Sequence, residues 1–193
     1  MALDATKIKA GPGRFYIDVT PPTSPAPLAL VAGVPATGTE LGLTDGEAVF
    51  TYEVEYFEVM ADQVLPPVAV FAQAEHARLE FTMKEYEAAK VKAALQQPTL
   101  TVDNVSSPKT DTFNIGGEAF EVTLRSVVLV SRIPNTSPQR YTIIMLYKAY
   151  QSEASALRVT KSGETLMKCT FVGIADLTRN VGDTVGQLVI QRN

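Results

Sequence analysis

The chain has no tryptophan, one cysteine (Cys169) and one histidine (His76). A lone cysteine excludes an internal disulfide framework and any zinc cluster built on thiolates. A lone histidine removes most metal-site and triad chemistry as well. No apolar run approaches the ~18–20 residues of a membrane-spanning helix. The longest, Leu28 to Val34, contains Gly33 and ends at Pro35. Met1 to Lys9 lacks the apolar core of a secretory leader, so a soluble chain made inside the cell is expected, with no membrane partner. Phosphate-loop, Gly-x-Gly-x-x-Gly and Gly-x-Ser-x-Gly patterns are also missing. The expectation is therefore no cofactor, no metal, no catalytic residue and no enzyme.

Positive charge is missing over a long stretch. Between Arg14 and Arg78 there is no Lys or Arg, while Asp18, Glu40, Asp45, Glu47, Glu53, Glu55, Glu58, Asp62 and Glu75 all fall there. The remaining segments are mildly basic and bring the whole chain to a formal charge of −4. A cation-free segment offers DNA phosphates no contact. It suits a solvated acidic face folded against basic parts of the same chain, or a surface that repels polyanions or meets a basic face of another copy.

What is present favours strands. Val, Ile and Thr make up 49 of 193 residues, and 46% of the chain is hydrophobic, enough for the core of one domain. Phe15, Ile17 and Val19 alternate with Tyr16 and Asp18 as a short strand. Pro21, Pro22, Pro25 and Pro27 then favour an extended path, inside a Pro- and Gly-rich loop or arm over about 20–46. Ala48, Phe50, Tyr52, Val54 and Tyr56 alternate with Glu47, Thr51, Glu53 and Glu55, predicting a strand with one apolar and one anionic face. After Tyr56 the apolar set becomes Phe57, Val59 and Ala61, which predicts a bulge in a strand over 48–63.

Leu65-Pro66-Pro67 reads as a turn, followed by separate strands at Val68–Ala72 and Ala77–Met83. Thr82 and Glu85 have capping-box spacing and predict a helix over about 84–96, with Tyr86, Ala89 and Ala93 as its buried stripe, flanked by Val91 and Leu95. Strands are also expected at Phe120–Leu124 and on to Val130, at Tyr141–Tyr147, at Leu166–Ile174 and around Leu188–Ile190, with Ile133 and Tyr141 close enough for a hairpin. The fold class is mainly β: a two-sheet β-sandwich or partial barrel with one flanking helix, in a single domain over 1–193.

The chemistry-bearing residues have ordinary readings. Glu53 and Glu55 could pair for glycoside hydrolysis, but their spacing is that of any wet strand face. His76 beside Glu75 reads as an exposed histidine near a strand start, and Cys169 as an inert small hydrophobe. Asn104-Val105-Ser106 and Asn135-Thr136-Ser137 match a glycosylation pattern without a secretory context. Aromatics interleaved with cations, the footprint of a single-strand nucleic-acid binder, are absent.

The order of features resembles the major tail tube proteins of long-tailed bacteriophages. The resemblance lies in Val49–Tyr56, Asp62–Val68, the strand and capped helix Ala77–Tyr86, and Cys169–Asp176, and covers most of 45–180. It implies a subunit that assembles into stacked, six-membered rings around a hollow conduit for the viral genome. Glu53, Glu55 and Glu58 are then expected to line an acidic lumen. The stretch with Pro21, Pro22, Pro25, Pro27, Leu28 and Leu30 is expected to dock as an arm on an adjacent subunit. The implied partners are further copies of the chain and other tail proteins such as the tape measure, terminator and distal tail proteins. DNA would pass through without specific binding, and the location would be the virion tail, assembled in the host bacterial cytoplasm. The alternative is a monomeric β-sandwich module binding carbohydrate or protein, with aromatics such as Tyr147 and Tyr150 as a platform, although core packing is the favoured role for Tyr147.

Overall fold

A computed structural model describes residues 13–42, 44–61, 64–84, 87–95, 99–114, 122–153, 157–158 and 166–192. In chain order its elements are β1 (Gly13–Ile17), β2 (Leu30–Val31), β3 (Val34–Pro35), β4 (Thr39–Gly42), β5 (Thr44–Ala61), β6 (Val64–Met83), α1 (Ala88–Leu95), β7 (Thr99–Asp103), β8 (Thr110–Asn114), β9 (Arg125–Ile133), β10 (Arg140–Gln151), β11 (Leu157–Arg158), β12 (Leu166–Ile174) and β13 (Gly186–Ile190). The chain is mainly β, with antiparallel sheets and, among the described residues, a single helix.

Nine strands form one sheet in the order β4-β1-β9-β10-β12-β6-β5, with β11 added on β12 and β13 on β10. The expected β9–β10 hairpin is present, with Ile133 opposite Arg140. The sheet rolls on itself. In the strand order β1 and β6 are four steps apart, about 19 Å in a flat sheet. Yet the Phe15 and Phe81 rings stack with centroids 3.7 Å apart, and Phe171 follows at 5.9 Å. The concave side holds Phe15, Ile17, Val127 and Leu129 against Leu79, Phe81, Cys169 and Phe171, giving the sandwich-like core. A bulge helps the sheet turn: Leu146 pairs with Val127 but Ala149 pairs with Arg125, so Tyr147 and Lys148 oppose Ser126 alone. Below that bend β10 pairs β13; above it, β12.

The convex side has its own cover. Val19 and Leu28 from the Pro-rich segment pack on Tyr16, Val128, Val130, Ile143, Met145 and Tyr147, with Leu30 partly buried beside them. Arg179 donates to the Pro22 carbonyl at 2.8 Å, and Thr20 N–H to Thr37 Oγ1 at 2.8 Å, tying the segment down. Residues 20–46 are thus not one long loop: they contain β2, β3, β4 and the start of β5. Leu28 and Leu30 pack on their own chain, because the aromatic and branched residues of β1, β9 and β10 need cover on this side too. Pro25 and Pro27 face solvent, while Pro21 and Pro22 are half-buried.

Other expectations shift. Among the described residues the helix spans Ala88–Leu95, and its buried residues are Val91, Ala93 and Ala94, whereas Ala89 is exposed. Thr82 caps nothing, since it lies in β6 opposite Lys168; Glu85 and Tyr86 fall outside the described residues. No turn forms at Pro66-Pro67. Both lie within β6, where the ladder is interrupted between the Val59–Ala69 and Ala61–Val64 pairs and no donor is required. The two strands expected at 68–72 and 77–83 are one strand of 20 residues. Val122 to Leu124 precede β9 without joining a strand, and Phe120 and Glu121 lie outside the described residues.

The Phe15–Phe81–Phe171 stack closes the roll, so Phe81→Ala should destabilise the protein by about 3–5 kcal/mol, read as a lower denaturant midpoint with an unchanged slope.

Candidate functional site: a protruding ribbon

β5 and β6 pair from Thr44 opposite Met83 to Ala61 opposite Val64. On its other side β6 pairs β12 only from Ala77 to Met83. Beyond Ala77 the two strands pair with no further strand among the described residues. Nine residues of β5, 53–61, carry this ribbon about 30 Å at ~3.3 Å per residue. Its large apolar side chains are open to solvent, Tyr56 at 63% and Phe71 at 60%, together with Tyr52, Phe57, Met60, Val68 and Val70.

β5 leaves the body through an irregularity. Asp45 pairs with Thr82 but Val49 with Glu80, so β5 carries extra residues around Gly46, whose φ of +70° suits glycine. From Val49 the alternation is regular. Phe50, Tyr52 and Val54 stand opposite Leu79, Ala77 and Glu75 and prolong the buried face of the body. Thr51, Glu53 and Glu55 stand opposite Arg78, His76 and Ala74 on the other face.

The expected bulge is present between Glu55 and Tyr56, but its extra residue is on the partner. Glu55 pairs with Ala74 and Tyr56 with Ala72, leaving Gln73 unopposed in β6. Uninterrupted β5 therefore sends Phe57 to the face of Glu53 and Glu55, and Glu58, opposite Val70, to the face of Tyr56. Glu53 and Glu55 share a face; Glu58 does not. Towards its tip the ribbon carries aromatic residues on both sides.

The carboxylate face is compensated only near its base. Arg78 Nε lies 2.9 Å from Glu80, and Arg78 also meets Glu153. Lys168 Nζ lies 3.2 Å from Glu80 and 3.6 Å from Glu153. Desolvation would raise the Glu153 pKa, but the Arg78 and Lys168 charges hold it below the ordinary range. Further out, His76 Nε2 reaches Glu55 Oε1 at 3.3 Å, and Glu53 is its direct cross-strand neighbour. His76 lies mid-strand, not at a strand start, and Glu75 is on the opposite face.

Beside the ribbon's base the apolar face runs into a cleft of about 710 Å³, lined by Phe50, Tyr52, Ala77, Leu146, Val185 and Leu188, with Glu75 at its edge. Desolvation and the Glu75 carboxylate push the Tyr52 hydroxyl above its usual pKa. The far wall is a braced loop. The Arg179 guanidinium stacks 3.7 Å over the Tyr147 ring and pairs with Asp183 at 2.8 Å, while Tyr147 Oη donates to Asp183 at 2.5 Å. Burial and the Asp183 hydrogen bond push Tyr147 up to about 12. Lys148 binds Asp176 at 2.9 Å, and with Thr178 lowers its carboxyl to about 2. Alternation patterns cannot reveal this loop; the Arg179 and Asp183 spacing was the one local hint.

An aromatic platform at Tyr147 is ruled out, since that ring is 2% exposed and packed; Tyr150 is half-buried. Burial raises the Cys169 thiol to about 12. Among the described residues no three His, Cys, Asp or Glu side chains gather as a metal site, and no helix is long and apolar enough to cross a membrane. No protein-family model matches the chain, and comparison with curated proteins returns no relative.

The depressed Asp176 pKa sets an acid limb. Its ionised form stabilises the fold fully above the unfolded carboxyl value of about 4, and that stability is lost as pH falls toward 2. Asp176→Asn should therefore melt below wild type at pH 6, with the gap closing between pH ~4 and ~2 in a melting series.

Proposed function

We propose that this protein is a structural subunit of the tail-tube type, a virion component that self-assembles into stacked, hexameric rings enclosing a conduit for genome passage. The observation that carries the reading is the ribbon. A two-stranded hairpin is marginal alone in water, and β5 is a long, unpaired edge with apolar groups on both faces. Copies of the same ribbon set side by side satisfy the edge. If the rotation between copies closes, the product is a ring with a continuous inner barrel.

In this arrangement the Tyr52–Tyr56 face, continuous with each subunit's core, turns outward toward neighbouring bodies, and Glu53 and Glu55 face the hole. The outward turn assigns Glu58 to subunit contacts. A negative wall gives phosphates no counter-charge, so DNA slides without sticking. Further copies are the principal partner; tape measure, terminator and distal tail proteins would meet the ends of the tube. The subunit carries out no catalysis.

The cleft beside Tyr52 favours a second reading, a monomeric module that binds a ligand there. Sedimentation velocity over a concentration series separates the two, because a module stays monomeric. Negative-stain micrographs should show rings or tubes, and Tyr56→Glu combined with Val70→Glu, both on the outward face, should abolish them while leaving stability within about 0.5 kcal/mol of wild type. Wild-type protein that stays monomeric throughout would overturn the reading. Where tubes form, Glu53→Lys with Glu55→Lys should make them retain DNA in a salt-dependent way that wild-type tubes do not.

A further inference from the structure

The convex face of the sheet carries a polar pocket distant in kind from the ribbon. Arg14 of β1 is in register with Val130 of β9, and Arg132, two residues further along β9, is in register with Tyr141 of β10. The two arginines therefore sit diagonally across Val130 on one face. The β2–β3 turn borders them: Ala32 and Gly33 have φ of 51° and 84°, and a Cβ on Gly33 would fall 2.4 Å from the Tyr141 hydroxyl oxygen. Arg14, Ala32, Gly33, Val130, Arg132 and Tyr141 enclose about 240 Å³.

Among the described residues the two guanidinium groups meet few acceptors. Glu40 approaches Arg14 Nε only to 3.8 Å, and Gln139 Oε1 takes Arg132 Nε alone. Tyr16, two residues from Arg14 on the same face and 2% exposed, has a buried hydroxyl that meets no geometric hydrogen-bond partner among the described residues, yet lies near enough to raise the Arg14 pKa. Two guanidinium groups on neighbouring strands repel one another unless an anion lies between them. Their forked donors suit planar or tetrahedral oxygen groups.

We propose that this pocket is an oxyanion site that takes one carboxylate or phosphate group between Arg14 and Arg132. The group could come from a free anion or from an acidic side chain of a second copy. The assignment does not depend on ring formation.

The test uses the full chain, dilute enough to be monomeric, titrated with inorganic phosphate and with acetate at constant ionic strength. Arginine side-chain Nε–H resonances are followed by NMR. Saturable shifts at Arg14 and Arg132 are expected, weakened about tenfold in Arg132→Gln, the loss of one charge-assisted contact. Arg132→Lys should recover only part of the affinity, because it restores the charge but not the fork. Both positions are exposed, so unchanged circular dichroism certifies the variants.

Self-association in anion-free buffer distinguishes the sources. If Arg132→Gln weakens it and phosphate competes with it, the carboxylate comes from another copy. If association is untouched and phosphate still saturates, the ligand is a free anion. Shifts that stay linear and match those in chloride, with association unaffected by Arg132→Gln, would overturn the proposal.

Discussion

One strand carries two incompatible environments, and the rest of the molecule follows from that. β6 buries Leu79, Phe81 and Met83 in the body, then runs on past its last bond to β12 into solvent. Strands are stiff only while their ladders hold. The buried half acts as the root of a cantilever, fixed by the Phe15–Phe81–Phe171 stack on one face and by the Arg78–Glu80–Lys168–Glu153 ion pairs on the other. Exposed ion pairs contribute little stability individually. A network at the root can still set the angle at which the ribbon leaves the body.

The charge pattern acquires a location in this geometry. The cation-free interval of the sequence ends at Arg78, the point where β6 enters the body. Inside that boundary Glu80 and Glu153 have lysine and arginine partners. Outside it, among the described residues, Glu55 meets His76 and Glu53 stands opposite it. Acidity is thus concentrated on the part of the chain that the described body does not cover; in the proposed tube it would face the passing DNA. It also discourages indiscriminate edge pairing, since two such faces repel when stacked the wrong way.

The alternation from Ala48 to Tyr56 could be read directly because period two survives any tertiary arrangement. The phase change at Tyr56 was equally visible, but one strand's pattern cannot say which partner holds the extra residue. Gln73 holds it, and so Glu58 parted from Glu53 and Glu55. Pro66-Pro67 looked like a turn because proline usually ends pairing; here the ladder gap tolerates both. Thr82 and Glu85 matched a cap by spacing, yet Thr82 was claimed by β12, a partner some 80 residues away. Long-range pairing overrode local preference at each of these sites. The Arg179–Tyr147–Asp183 cluster and the Arg14–Arg132 pocket were illegible for the same reason: their members meet only when the sheet is assembled.

The exposure of the ribbon does not arise from a shortage of chain. The convex face of the same sheet is covered by a dedicated segment, with Val19, Leu28 and Leu30 laid over β1, β9 and β10 and fastened through Arg179 to Pro22. A chain able to supply that cover, and to close its concave face with α1, leaves Tyr52, Tyr56 and Phe71 bare over several turns of the pleat. Solvent-exposed apolar patches of this extent are uncommon on monomers and mark contact surfaces. Among the described residues the body is covered by its own side chains and the ribbon is not; in the proposed assembly that cover comes from another molecule. A second copy, bearing the same unpaired edge in the same conformation, matches it without any further adaptation.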